Sequence, residues 1–315
     1  MQTQTFDNDL DNIKKRKRRS DLKKNWPLLV MISGAVLFVF IFAYIPMYGI
    51  IIAFQDYNPA LGIKGSQFIG MDNFTRFFQA YNFNDLMYNT FILSFLGFLI
   101  GFPLPIIIAL LLNTLRSKRS KGIFQTIFNA PHFISVVVLV GMIFLFFGEY
   151  GLVNSIIRAF GGERVSFMLS SKWFRPLFIG SGNWQEMGWS SIIYLAALAG
   201  VDPQLHESAK IDGASRFKRI IHIDFPAIFP TISVLLILSI GNLLSVGHEK
   251  VLLMQTGPNS VVSEIISTYV YKIGLTGSSE PGYAAAIGLF NSVINVVLLI
   301  IANYSAKRFS ENSLW

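Results

Sequence analysis

The sequence predicts an all-α integral membrane protein with six transmembrane helices. Of its 315 residues, 52% are hydrophobic and only 14% are charged, whereas a soluble domain carries roughly a quarter charged residues. The apolar residues are gathered into long runs separated by short polar stretches. Several runs reach the ~20 residues that a helix needs to cross the hydrocarbon core of a bilayer.

Five runs are long and apolar enough to span, at about residues 27–54, 87–113, 123–147, 226–247 and 283–304. A sixth, at about 177–200, is weaker because Asn183, Gln185 and Glu186 interrupt it. Its second half, from Gly188, is apolar but too short to span alone. We predict a span that is polar on one side, within a membrane domain over 26–306 between tails at 1–25 and 307–315.

The distribution of basic residues predicts the orientation. With the N-terminus inside, 18 of the 26 Lys and Arg residues fall on the cytoplasmic side. They are concentrated in the N-terminal tail, with its run Lys14–Arg19, at 116–121, at 210–219, and at Lys307 and Arg308. We therefore predict that both termini are cytoplasmic, in a multi-pass protein of the plasma membrane.

Several function classes are excluded by composition. The chain has no cysteine, which rules out disulfides and cysteine nucleophiles, and its four histidines lack metal-ligand spacing. The net charge of +8 lies beside apolar spans, which argues against nucleic-acid binding. There is no Gly-x-x-x-x-Gly-Lys-[Ser/Thr], HExxH or Gly-x-Ser-x-Gly. We predict no catalytic residue, no metal site and no cofactor in this chain.

The loop over 201–225, between the fourth and fifth spans, reads as helix, break, helix. Asp202 is a suitable N-cap before Pro203 in the first helical turn. Gly213 is suited to end that helix, because a residue without Cβ adopts the left-handed conformation easily. A second helix is predicted from Ala214, with Phe217 on its apolar face. Periodicity alone does not distinguish a functional elbow from a plain connecting loop.

The spacing within this loop resembles the EAA loop of binding-protein-dependent ABC importers. Glu207-Ser208-Ala209 is followed after three residues by Gly213, and after nine further residues by Ile223-Asp224-Phe225-Pro226. The chain departs from the family pattern at Ser208, where Ala is usual, and at Phe225, where Leu is usual.

Further segments resemble the carbohydrate branch of this family, and the LplB-like oligosaccharide permeases in particular. They are Asp212-Gly213-Ala214 with Phe217 and Pro230, Gly188-Trp189, Thr268–Tyr271, Gly274-Leu275, Ala286–Phe290 and Leu314-Trp315.

The resemblance implies a type I ABC importer permease in a bacterial cell membrane. Its implied partners are a second homologous permease in a heterodimer, two ATPase subunits that bind ATP and Mg, and an extracellular solute-binding lipoprotein. The implied substrate is a carbohydrate, an oligosaccharide in particular. The loop would dock on an ATPase, with Glu207 meeting an arginine there and Gly213 as the bend. The implied coupling residues are Glu207, Ser208, Ala209, Asp212, Gly213, Ala214, Phe217 and Pro226.

Polar residues inside spans are costly in lipid, so they are candidates for lining a transport path. The candidates are Ser239, Asn242, Asn291, Asn295, Tyr283 and Glu186. Amides beside aromatic rings suit a sugar, but asparagines also hold helices together in membranes, and both alternatives stay open. Glu186 would instead lie near the surface if its span began later.

The main rival is a secondary, ion-coupled transporter, which needs coupling carboxylates within its spans. Only Glu186 meets that requirement. An intramembrane enzyme would need a cluster of Asp, His or Glu within the spans, and the sequence has no such cluster there. A membrane scaffold, in turn, would show no substrate-dependent ATP turnover with its partners.

Overall fold

The computed structural model describes residues 24–115, 117–276 and 279–309, and helices provide nearly all of the regular structure there. A pair of two-residue antiparallel strands joins Gln55 to Phe68 and Asp56 to Gln67. The α-helices are Trp26–Val39, Ile45–Met47, Gly62–Gly65, Asp72–Phe78, Phe83–Gly101, Pro103–Asn113, Lys118–Asn129, Val136–Phe147, Leu152–Ala159, Ser171–Ala199, Pro203–Ile211, Arg216–Arg219, Phe225–Gly241, His248–Met254, Ser260–Ser263, Ile266–Leu275 and Pro281–Phe309. Shorter helical turns are the π-helical Phe40–Tyr44 and Ile220–Asp224 and the 3₁₀ turns Tyr48–Phe54 and Ala130–Phe133.

Within the described residues, five helical stretches are long and apolar enough to cross a membrane. They are Trp26–Phe54, Phe83–Asn113, Val136–Ala159, Arg216–Gly241 and Pro281–Arg308. They coincide with the five strong apolar runs of the sequence, although the third is displaced toward the C-terminus. The helical membrane fold is therefore confirmed. The basic run of the N-terminal tail and residues 310–315 lie outside the described residues.

The third predicted span, 123–147, is two helices rather than one. Lys118–Asn129 ends at a 3₁₀ turn over Ala130–Phe133, and a new helix begins at Val136. The Ser135 hydroxyl accepts a hydrogen bond from the Val138 amide at 3.3 Å, so the second helix has its own N-cap. Because Pro131 disfavours continuation of the first helix and Ser135 caps the second, a break between the two helices is the stable local conformation.

The weak run predicted as the fourth span is a single helix of 29 residues, Ser171–Ala199, about 43 Å long at 1.5 Å per residue. It is not among the five helical stretches that are long and apolar enough to cross a membrane. Its first half contributes Phe174 and Ile179 to a buried cluster with the third span, and its second half contributes Tyr194 and Leu198 to a second cluster. One side of the helix is therefore covered by other helices, and some of its polar residues bond to them. The Gln185 amide, for example, donates to the Ile134 carbonyl at 2.6 Å.

The first helix, Trp26–Val39, has the opposite environment, because none of its residues is buried against the rest of the chain. The segment Tyr48–Phe54 that follows packs on the sixth span, and Ala53 of this segment shares a buried cluster with Ala286 of that span. An apolar helix without intramolecular cover needs lipid or another subunit around it.

The short helix Asp72–Phe78 is tied to the residue just before the helix Pro281–Phe309 by an ion pair between Arg76 and Glu280. The hydrogen bond to Glu280 raises the pKa of Arg76 above its ordinary value, so the guanidinium stays charged. Arg76 also lies over the ring of Tyr283, at 4.3 Å from its centroid.

Candidate coupling elbow and transport path

Residues 202–225 form a bent helical pair, called the elbow below, and its first helix is capped as predicted. Asp202 Oδ1 accepts a hydrogen bond from the Gln204 amide at 2.9 Å, and Pro203 is the first helical residue. The helix ends at Ile211, and Gly213 follows with φ = 75°. Few side chains tolerate that conformation, so the predicted bend at Gly213 is confirmed.

The second helix begins at Arg216, two residues later than predicted, because Ser215 is its N-cap. The Ser215 hydroxyl accepts from the Lys218 amide at 3.3 Å, and that local bond decides the start. A π-helical turn, Ile220–Asp224, then leads directly into Phe225–Gly241. The elbow is therefore continuous with the fifth span.

The predicted coupling residues, except Pro226, are brought together on this elbow. Glu207, Ser208, Asp212, Gly213 and Phe217 are exposed, and Ala209 and Ala214 are half-buried at the bend, where the Ala214 amide donates to the Ala209 carbonyl at 2.8 Å. Pro226 is exposed in the first turn of the fifth span's helix, away from the bend.

Sequence reasoning missed an apolar residue on the same surface. Ile211 is 87% exposed, beside Phe217 at 70%. Large apolar side chains exposed outside the spans indicate a surface that meets another protein. The sequence does show an isoleucine just before the predicted helix end at Gly213. Helical periodicity, however, does not tell which face of a helix is left uncovered by the rest of the protein.

The candidate path residues of the fifth and sixth spans do not form one site. Asn295 Oδ1 accepts from the Leu244 amide at 3.1 Å and its Nδ2 donates to Ser245 Oγ at 3.0 Å, while Asn291 Nδ2 donates to the Leu244 carbonyl at 3.3 Å. Asn242 donates within its own helix, to Leu238. These contacts fix the chain just beyond Gly241, where the fifth helix ends.

Two other candidates line separate cavities. Ser239 lines a cavity of about 590 Å³ together with Trp189 and Tyr194. Tyr283 is buried near the start of Pro281–Phe309 and borders a cavity of about 620 Å³ beside Arg76.

Asn295→Leu should lower the midpoint of thermal unfolding by several degrees, because the buried Leu244 amide then has no acceptor, at a cost of about 1–3 kcal/mol. Asn242→Leu is the matched control, since its amide bonds only within its own turn among the described contacts. Thermal unfolding of the purified protein in detergent measures both. Equal midpoints for the two variants would contradict a packing role for Asn295.

Glu186 lies near the middle of Ser171–Ala199, with its side chain 54% exposed. Its Oε2 is 3.1 Å from His132 Nδ1, and the imidazole stacks on Trp189 with centroids 4.4 Å apart and planes 3° from parallel. We call His132, Glu186 and Trp189 the mid-span cluster. The spacing of Glu186 and Trp189 by three residues already placed them on one helix face. His132 comes from the break in the third span, which the sequence did not predict.

A lysine lies close to this cluster. Lys250, on the short helix His248–Met254 between the fifth and sixth spans, donates to the Phe178 carbonyl at 2.9 Å. Burial lowers the pKa of the Lys250 ammonium to about 8, and the charge of Glu186 opposes that change. The ammonium therefore supplies positive charge near Glu186 at neutral pH.

A chain with these spans, a bent exposed elbow and a polar mid-span cluster can be compared with known proteins. The model of the binding-protein-dependent transport system inner membrane component family matches residues 101–311, which include the elbow and the helices from Lys118–Asn129 to the end of the described residues. The chain belongs to this family.

The permease is similar along nearly its whole length to proteins of Bacillus subtilis (strain 168). It is 44% identical to the polygalacturonan/rhamnogalacturonan transport system permease protein YteP over 307 residues, covering 96% of this chain and 95% of that one. It is also 44% identical to protein LplB over 294 residues, covering 93% and 92%.

Its fold matches a chain in the crystal structure of a bacterial ABC transporter involved in the import of the acidic polysaccharide alginate. The TM-score is 0.84 at 38% identity, covering 93% of the permease and 99% of that chain. A second structure of that transporter, in complex with alginate pentasaccharide-bound periplasmic protein, matches equally well. The predicted family and the ABC importer permease fold are confirmed.

Proposed function

We propose that this permease pairs with a second homologous permease to form the membrane path for an oligosaccharide. An extracellular solute-binding protein delivers the sugar, and two partner ATPase subunits bind ATP and Mg beneath the membrane. The exposed elbow, bent at Gly213 within the family-matched region, is the observation that carries this proposal. The chain itself contributes no catalytic residue.

The elbow is suited to transmit motion because it is joined to the spans at both ends. Residues 200 and 201 alone separate it from the helix Ser171–Ala199, and its second helix runs on into the fifth span. Closure of the ATPase pair on ATP would draw the two elbows together and favour the outward-facing state, and hydrolysis would reset it. ATP binding thus shifts the equilibrium between two states of the membrane domain, and the elbow transmits the shift as a rigid element.

The orientation proposed is with both termini and the elbow in the cytoplasm. The basic residues support it, because the last turn of the sixth helix carries Lys307 and Arg308, and the elbow carries Arg216, Lys218 and Arg219.

The decisive test is purification of the complete complex from native membranes, identification of its subunits, and reconstitution in liposomes. Uronate oligosaccharides (galacturonate and alginate fragments) are screened beside neutral arabino-oligosaccharides for stimulated ATP hydrolysis and uptake. Stimulation by one class, dependent on the binding protein, supports the proposal. Uptake that survives ATP depletion but is lost with the proton gradient would instead indicate the ion-coupled alternative.

We place the sugar against the mid-span cluster. An exposed carboxylate near the middle of a span faces a water-filled cavity or a partner, because lipid exposure is too costly. The parallel rings of His132 and Trp189 offer an apolar face to sugar C–H groups, and Glu186 accepts hydrogen bonds from hydroxyls.

Trp189→Ala should lower the amount of sugar transported per ATP hydrolysed by roughly tenfold, because loss of a stacking face costs about 1 kcal/mol or more. Trp184→Ala, on the same helix and similarly exposed, is the matched control. Uptake and ATP hydrolysis are measured in the same liposomes. If both variants transport as the wild type does, the sugar does not pass over this cluster.

A further inference from the structure

The end of the elbow carries a buried carboxylate that joins three separate elements. Asp224 is only 3% exposed, and its Oδ1 is 3.3 Å from Nε2 of His206 on the first elbow helix. The same oxygen accepts a hydrogen bond from Asn113 Nδ2 at 3.2 Å. Asn113 is the last residue of the second span's helix, and Asp224 directly precedes the helix Phe225–Gly241. One oxygen thus contacts the elbow helix and the inner ends of two spans.

The direction of Asp224 is set by the π-helical turn Ile220–Asp224. One extra residue in a helix rotates the following side chains by about 100° relative to a regular α-helix. In this turn Asp224 is buried, while its neighbours Ile221, His222 and Phe225 are exposed. Such π-turns occur frequently at functional sites.

Apolar packing contributes little to holding the first elbow helix in place. None of the nine residues of Pro203–Ile211, all of them described, is buried. A cavity of about 370 Å³ lies between this helix and the spans, lined by residues that include Asn113, Leu198, His206 and Asp224. A helix beside such a space is free to tilt unless a specific contact holds it.

The contact between His206 and Asp224 has the chemistry that such a hold requires. Burial of a carboxylate is unfavourable unless donors surround it, and here a ring nitrogen and an amide lie within 3.3 Å of one oxygen. Hydrogen bonds to a charged acceptor are roughly twice as strong as neutral ones.

We propose that Asp224 is a positioning residue that acts through His206, holding the elbow helix against the second and fifth spans so that elbow movement reaches both. The inference rests on the coupling function proposed for the elbow. Without the contact, the elbow still docks on the ATPase, but part of its movement is lost as tilting into the cavity.

The test uses the complete reconstituted complex and measures sugar transported per ATP hydrolysed. His206→Leu removes the donor and should lower that ratio by roughly tenfold while ATP hydrolysis continues, as expected for a lost hydrogen bond to a charged group. His206→Gln keeps a neutral N–H donor at a similar reach and should restore most of the ratio. His222→Leu is the matched control, because His222 is exposed and bonds only to the Lys218 carbonyl of its own turn among the described contacts.

A double variant checks that the two residues act through one contact. Asp224→Asn combined with His206→Leu should be no worse than His206→Leu alone, since partners in one interaction are not additive. A wild-type ratio for His206→Leu, or equal losses for His206→Gln and His206→Leu, would overturn the proposal. If Gly213→Pro and Glu207→Lys also transport normally, the coupling function of the elbow itself is wrong. If those two variants fail and His206→Leu is normal, only the positioning role is wrong.

Discussion

Gly188→Ala should prevent the permease from accumulating as a folded protein. A Cβ on Gly188 would lie 2.0 Å from the carbonyl oxygen of Phe128, 2.3 Å from its carbon and 2.9 Å from the Asn129 amide nitrogen. These are backbone atoms at the end of Lys118–Asn129, which cannot rotate away as a side chain would. Overpacking costs about 1–3 kcal/mol even where side chains give way, and a backbone clash costs more.

Gly180→Ala is the matched control, because it lies on the same helix with nothing within 4 Å of the added methyl group. Fluorescence-detected size-exclusion chromatography and thermal unfolding in detergent compare the two variants. We expect an aggregated or absent peak for Gly188→Ala and a normal peak for Gly180→Ala. A Gly188→Ala protein that melts within a degree of the wild type would show that the two helices are not in backbone contact.

Gly213→Pro should abolish uptake while the protein still inserts and folds. Proline fixes φ near −65°, whereas Gly213 has φ = 75°, and proline removes the amide that donates to the Lys210 carbonyl at 3.1 Å. The elbow then cannot bend as it does here. Gly213→Asn is the control, because asparagine tolerates the left-handed conformation better than other side chains and should retain most uptake.

Glu207→Lys tests the same surface without altering the backbone. It reverses the charge of an exposed residue of the elbow. The family resemblance implies that this residue meets an arginine of the ATPase. We expect loss of ATPase subunits on purification and loss of uptake. Glu163→Lys makes the same charge change at an exposed position outside the elbow and should leave the ATPase bound. Normal copurification and transport by Glu207→Lys would contradict the docking role.

Local chemistry explains why the elbow was predictable. The Asp202 cap and the Gly213 bend depend on residues within one or two turns, so sequence alone places them. The start of the second helix was wrong by two residues because Ser215, rather than the bend, supplies the cap. Element boundaries depend on such single hydrogen bonds.

Tertiary contacts explain what the sequence could not predict. Gln185 weakened the fourth span in a count of apolar residues, yet it is satisfied by the Ile134 carbonyl from a distant segment. Likewise, the partners of Asn295 lie at residues 244–245, about fifty residues away in sequence, and helical spacing gives no hint of them. His206, His132 and Asp224 look isolated in the chain because their partners are brought to them only by the fold.

The 29-residue helix Ser171–Ala199 has a mechanical consequence for the whole protein. It takes part in two buried apolar clusters and leads into the elbow through only two residues. A helix of this kind can tilt or turn about its axis, but it cannot shorten. We therefore expect it to move as a rigid body, so that a small displacement at the end next to the elbow is transmitted to its other end without a relay of separate side-chain rearrangements.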